Sequence, residues 1–168
     1  ARGTKVDLSL LHSSSNEEYN VEIVRDRIPI HSVVASFILE EHVGYIKVIR
    51  FSATTAAEFA EAMHDLEQDG ATSVIVDLRA NGGGYMSAAT EMIDRFLDQG
   101  LGIVYTEGKA SPRRDYVSKY DGEYRNWPIA VLIDESSASA SEIFAGAMQD
   151  NDRGLIVGRR SFGKGLVQ

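Results

Sequence analysis

The 168-residue sequence contains no cysteine, which excludes disulfides, thiolate metal sites and a cysteine nucleophile. That absence leaves the compartment open, because disulfide-free proteins work in oxidising and reducing spaces alike. Positive charge is in deficit. Seventeen Lys and Arg stand against 25 Asp and Glu, a net charge of −8, and no basic run offers a footprint for nucleic acid. No apolar run approaches the ~18 residues of a membrane-spanning helix. Histidine is scarce, and His12, His31, His42 and His64 lack metal-ligand spacing such as H-E-x-x-H. Surface or satisfied structural roles explain them better than ligation, so no metal and no cofactor is expected. A Ser-His-Asp triad is not excluded by residue order, but nothing positive supports one. The start carries no signal-peptide pattern and reads as mid-domain sequence, so the chain is expected to be cut from something longer.

What is present is a core-forming composition, 43% hydrophobic, in a length that suits one domain and part of a second. Val6, Leu8 and Leu10 alternate with Asp7 and Ser9, and Val21 and Ile23 alternate with Asn20 and Glu22. Residues 5–25 therefore read as two half-buried strands, and Pro29 punctuates their end. Ser32–Leu39 is too apolar for a free linker and is expected to pack onto the segments after it. From Tyr45 the pattern becomes strand–helix alternation, with strands at Tyr45–Phe51, Ser73–Leu78, Ile129–Ile133 and Leu155–Val157. Ile103–Tyr105 is a further candidate. Helices follow Thr55 (with Glu58 as a capping box, Phe59, Met63 and Leu66 at helical spacing, and Gly70 as stop), Met86 (through Ile93 and Phe96 to Gly100) and Ala140. The polar stretch 106–127 reads as a long loop. This alternation implies an α/β layer on a largely parallel sheet.

Three clusters could carry chemistry, and each lies at a strand end, where open α/β sheets place their sites. Asp77-Leu78-Arg79-Ala80-Asn81-Gly82-Gly83-Gly84 could point backbone N–H groups into a cleft and hold an oxyanion, although a tight strand-to-helix turn is the plainer explanation. In Ser136-Ser137-Ala138-Ser139-Ala140-Ser141-Glu142 a serine opens a helix, where the dipole favours developing negative charge. The bland alternative is a capping box from Ser139 to Glu142. Gly158-Arg159-Arg160-Ser161-Phe162-Gly163-Lys164-Gly165 fits most of a phosphate-binding loop, but Gly165 stands where the Mg²⁺-binding hydroxyl belongs.

Together the clusters resemble the C-terminal processing (tail-specific) serine peptidases. The likeness runs through D-L-R-x-N-x-G-G at 77–84, S-A-S-A-S-E-I at 137–143, A-G-A-x-Q-D at 145–150 and F-G-K-G-x-V-Q at 162–168. It implies Ser139 as nucleophile, Lys164 as general base, Gln168 orienting the lysine, and the N–H groups of Gly83 and Ala140 as oxyanion donors. It also implies a crotonase-like (Clp-protease-like) α/β core over residues 31–168, truncated at its C-terminal end. Gly3-Thr4-Lys5-Val6 and Arg25-Asp26-Arg27-Ile28-Pro29 resemble the last strands of a PDZ domain, so residues 1–30 are expected to be its remnant. Further implications are protein or peptide substrates with accessible C-terminal tails, and an extracytoplasmic setting such as the bacterial periplasm or envelope. Asp134 and Ser136 depart from the more usual Asn and Gly.

A serine hydroxyl is a poor nucleophile until a base takes its proton. A lysine serves as that base only when neutral, which asks a side chain with an ordinary pKa of about 10.4 to fall towards ~7–8, roughly 4 kcal/mol, usually through burial. Two readings from other classes stand beside the peptidase: a non-catalytic interaction protein that keeps the fold, and a P-loop nucleotide binder.

Overall fold

The structure, a computed structural model, describes residues 2–26 and 30–166. Pro29 and Gln168 lie outside the described residues. The chain divides into two compact units, Ala1–Ile30 and His31–Gln168. The first is a hairpin of β1 (Lys5–Leu11) and β2 (Glu18–Val24), paired antiparallel from Lys5 opposite Val24 to Leu11 opposite Glu18. The period of two is there, but only Val6 and Val21 are partly covered, and Leu8, Leu10 and Ile23 are exposed. The expected half-buried face is therefore bare in this unit.

The second unit runs β3 (Val33–Glu40), β4 (Val43–Val48), α1 (Thr55–Gln68), β5 (Ser73–Asp77), α2 (Met86–Ile93), β6 (Gly102–Gly108), β7 (Ser111–Val117), β8 (Ile129–Ile133), α3 (Ala140–Asp150) and β9 (Leu155–Gly158). Its sheet has the order β3-β4-β5-β8-β9, with β4, β5, β8 and β9 parallel and β3 antiparallel at the edge. Alternation sends Ile46, Val48, Val74, Val76 and Val131 into a core closed by Phe59, Met63 and Leu66 of α1, Met92 and Ile93 of α2, and Phe144 and Met148 of α3. Phe96 stands edge-on to both Phe59 and Phe144, with ring centroids 6.1 Å apart in each pair.

Ser32–Leu39 packs onto the segment after it as expected, and does so as strand β3 paired with β4, its Phe37 ring 5.0 Å from Tyr45. Two sequence expectations need correction. Residues 106–127 are not one loop, because β7 pairs with β6 as a hairpin and Arg113 stacks 4.0 Å over Tyr105. The polar composition of β7 concealed a strand that keeps both faces wet, a case in which period and hydrophobicity give no signal. Finally, Thr55 does not form a capping box with Glu58. Thr54 is the N-cap residue, and Glu58 accepts from its hydroxyl (2.6 Å) and from the amides of Ser32 (2.6 Å) and Val33 (3.0 Å), tying α1 to the start of β3.

At the end of β5, the Asp77 carboxylate is 1% exposed and accepts from Tyr45 Oη (2.6 Å), Lys47 Nζ (3.1 Å), the Arg79 amide (2.9 Å) and Arg79 Nη2 (2.6 Å). Burial pushes its pKa up, but the Arg79, Tyr45 and Lys47 donors outweigh it and hold the carboxyl well below the usual range. Replacing it leaves partly covered cations without their counter-charge. Asp77→Ala is expected to cost about 3–5 kcal/mol, read as a shift in the urea unfolding midpoint. A loss under 1 kcal/mol would contradict the network's role.

Candidate active site

Because β5, β8 and β9 are adjacent and parallel, the segments that come after them emerge side by side at one edge of the sheet. The first segment turns sharply at Asn81, which is wholly buried and donates through Nδ2 to Val48 O at 2.9 Å. Gly83 has φ +92°, and a Cβ there would lie 2.5 Å from Ala138 O and 2.8 Å from Ala140 N. Only glycine lets this turn press against the serine segment. Gly84 makes an equally close approach to the Phe51 carbonyl.

In the second segment the serines separate by environment. Ser137 and Ser141 are buried, and their hydroxyls donate to Leu78 O (2.8 Å) and Asn81 O (2.9 Å), so they stitch the two turns together. Asp134 reinforces the seam by accepting from the amides of Ala80 and Ser136, both at 3.0 Å. Ser136 is exposed. Ser139 is partly exposed and sits at the N-cap of α3 with φ 54° and ψ −113°, a strained conformation for a residue with a Cβ. It lines two cavities, one shared with Gly83, Gly84 and Lys164, the other with Ile143, Gly146 and Lys164.

The third segment is anchored by Glu142, one turn into α3. Its Oε1 accepts from Ser161 Oγ (2.8 Å) and the Gly163 amide (2.6 Å), and its Oε2 accepts from the amides of Ser139 (2.8 Å) and Lys164 (2.8 Å). Partial burial pushes the carboxyl up, but the Ser161 hydroxyl and the Gly163, Lys164 and Ser139 amides outweigh that and lower its pKa below 4.5. The expected capping box is thus present: the Glu142 carboxylate accepts from the Ser139 amide, and the Ser139 side chain lies against the Glu142 amide, which also donates to the Ser139 carbonyl at 2.9 Å. The same carboxylate settles the phosphate-loop alternative against itself. The Gly163 and Lys164 amides that would cradle a phosphate already hold an anion.

Ser139, Gly83, Ala140 and Lys164 are therefore brought to one place. Gly83 N–H donates to Asn81 Oδ1 at 2.9 Å, whereas Ala140 N–H, in the first turn of α3, bonds to no other described residue. Among the described residues no hydrogen bond joins the Ser139 hydroxyl to the Lys164 amine, and Lys164 is exposed rather than buried. Glu142 is the participant that sequence reading underrated. Its signal was the spacing Ser139–Glu142, which suggested a local cap and could not reveal partners 19 to 22 residues away.

A serine on a strained turn at a helix N-terminus, facing a lysine across one cavity at the C-terminal edge of a parallel sheet, is the class of site that supports acyl transfer. The chain belongs to peptidase family S41, whose family model matches residues 42–168. It is 36% identical over 170 residues to a carboxyl-terminal-processing protease of Synechocystis sp., covering 99% of this chain and 39% of that protein. It is 36% identical over 168 residues to the carboxy-terminal processing protease CtpA of Bacillus subtilis, covering 99% of this chain and 35% of that protein. A solved structure, the photosystem II D1 C-terminal processing protease, superimposes with a TM-score of 0.73 at 28% identity, over 99% of this chain and 46% of that one. The chain thus spans about two fifths of the length of the curated relatives it matches.

Glu142→Gln keeps the shape but turns an amide N–H₂ towards donors, and is expected to cost about 2–4 kcal/mol. Because the folded-state carboxyl is lowered, its stabilisation is complete above about pH 5 and is lost as pH falls through the folded value. Melting curves from pH 7 to pH 3 should show the gap between parent and variant closing with acid. A gap independent of pH would contradict an ionised anchor.

Proposed function

We propose that this chain is the catalytic portion of a serine endopeptidase that acts on protein substrates recognised through their C-terminal tails. The single observation that carries the reading is the convergence of Ser139 and Lys164 on one cavity with the Gly83–Gly84 turn. In this reading Ser139 attacks the scissile carbonyl, and Lys164 takes the hydroxyl proton and later delivers it to the leaving amine. Ala140 N–H receives the oxyanion, joined by Gly83 N–H once it is shared with, or released from, Asn81 Oδ1. Water then releases the acyl-enzyme. A bound substrate strand over the exposed Lys164 would supply the desolvation that favours a neutral amine. The sequence resemblance adds Gln168 as the residue that would orient that amine.

The relatives' names support the tail-processing activity, and the hairpin of residues 5–24 is assigned to the end of a PDZ domain by the sequence resemblance. An extracytoplasmic setting belongs to the same reading. Among the described residues no helix is long and apolar enough to cross a membrane. The engaged Gly83 amide favours one second reading, a binding protein that keeps the fold without the chemistry.

Two outcomes separate the readings. A fluorophosphonate probe is expected to label the chain at Ser139, and Ser139→Ala should abolish labelling. No labelling of the parent would favour the binding protein. In the longer protein of which this chain is the catalytic part, Lys164→Arg should lower cleavage of an unfolded substrate by at least ~10²-fold with an unchanged melting curve, because arginine keeps the charge but cannot act as a base at working pH. Activity within threefold of the parent would remove Lys164 from that role.

A further inference from the structure

Helix α3 carries two stripes. One packs into the core through Phe144 and Met148. The other, Ser139, Glu142, Ile143, Gly146 and Ala147, has helical spacing along a single groove of about 490 Å³ that begins at the serine. Ile103 and Tyr105 of β6 form its opposite wall.

Gly146 is the anomaly in this stripe. Glycine is the poorest helix former short of proline, and this one is interior to an α-helix. Several glycines elsewhere in the fold have visible reasons, and those that likewise face open space without a positive φ, Gly82, Gly102 and Gly165, lie outside helices. Gly83 and Gly84 have positive φ, and a Cβ at Gly122 or Gly154 would collide with a backbone carbonyl. At Gly146 the backbone is helical, and an added Cβ would meet no atom within 4 Å. Nothing in the folded chain requires glycine there, and what its missing side chain leaves is open groove.

We propose that Gly146 is a specificity-determining residue: its bare backbone keeps the groove deep enough for an apolar side chain of the substrate next to the scissile bond. The nature of the occupant is set by the lining, which around Gly146 is apolar at Ile143 and at the largely buried Ile103 and Ala147, although Glu142, Asp150 and Lys164 also border the groove, and by continuity with Ser139, which puts any peptide attacked there within reach of the groove. The inference rests on the peptidase reading but concerns binding, so it can fail separately.

The test uses the full chain carrying Ser139→Ala, so that binding is measured without turnover, and two dye-labelled peptides, Ala-Ala-Leu-Ala-Ala and its all-alanine counterpart. The leucine peptide is expected to bind at least ~10-fold more tightly, as burying three more carbons against an apolar wall should give. Gly146→Leu should erase that preference while leaving the alanine peptide's affinity within about twofold. Gly146→Ala should raise the melting temperature, because alanine is the better helix former, and should reduce the preference in part. It carries the test alone if the leucine variant does not fold. A leucine preference untouched by the substitutions, or none in the unsubstituted groove, overturns the proposal. Ser139 labelling is read independently: a chain with the expected binding and no labelling keeps the groove and loses the peptidase.

Discussion

The site depends on one carboxylate. Glu142 has four donors around two oxygens, and they come from both sides of the cavity: the Ser139 amide on one, the Ser161 hydroxyl and the Gly163 and Lys164 amides on the other. The 159–166 segment comes after a short edge strand and has little regular structure, so a lysine there has no packing of its own to fix it. Charge-assisted bonds to main-chain amides fix it instead, and they do so relative to the residue whose chemistry it would serve. A helix N-terminus normally attracts an anion from a ligand. Here α3 supplies its own from its first turn, and the anion faces the neighbouring loop.

A second constraint is close approach of backbone. The glycine turn after β5 and the serine turn before α3 touch at Gly83, and Ser137 and Ser141 hold them together from within. The strained dihedrals of Ser139 are what such a seam can sustain, because Ala138 and Ala140 on either side are buried and the Ala138 amide donates to Asn81 O. The Asp77 network lies at the other end of the same turn and keeps its base in register with β4 through Tyr45 and Lys47. Rigid walls thus meet at a serine whose own neighbourhood stays open to solvent.

The parallel sheet and its three helices were legible because Ile46, Val48, Val74, Val76 and Val131 repeat with a strand's period while Phe59, Met63 and Leu66 repeat with a helix's. The site clusters were legible as strand ends, and adjacency of β5, β8 and β9 is what turned three separate segments into one place. What stayed hidden was non-local or polar. The β7 strand is wet on both faces. Glu58 and Glu142 each looked like helix caps from their spacing, yet both reach distant amides, and Gly83 N–H is bonded to Asn81, two residues back in the turn. Spacing reveals which residues share a face; it does not reveal which of several donors a carboxylate or carbonyl oxygen takes.

The most direct measurement of the central claim is a crystal structure of the chain with Ser139 covalently modified by a peptidyl phosphonate. The account predicts the Lys164 amine within about 2.6–3.2 Å of the Ser139 oxygen, and a phosphonyl oxygen about 2.7–3.1 Å from the Ala140 amide. It also predicts that all four donors to Glu142 stay in place. A Lys164 amine directed to solvent with Glu142 still fully bonded would contradict it, because the anchor would then hold the loop without placing the base.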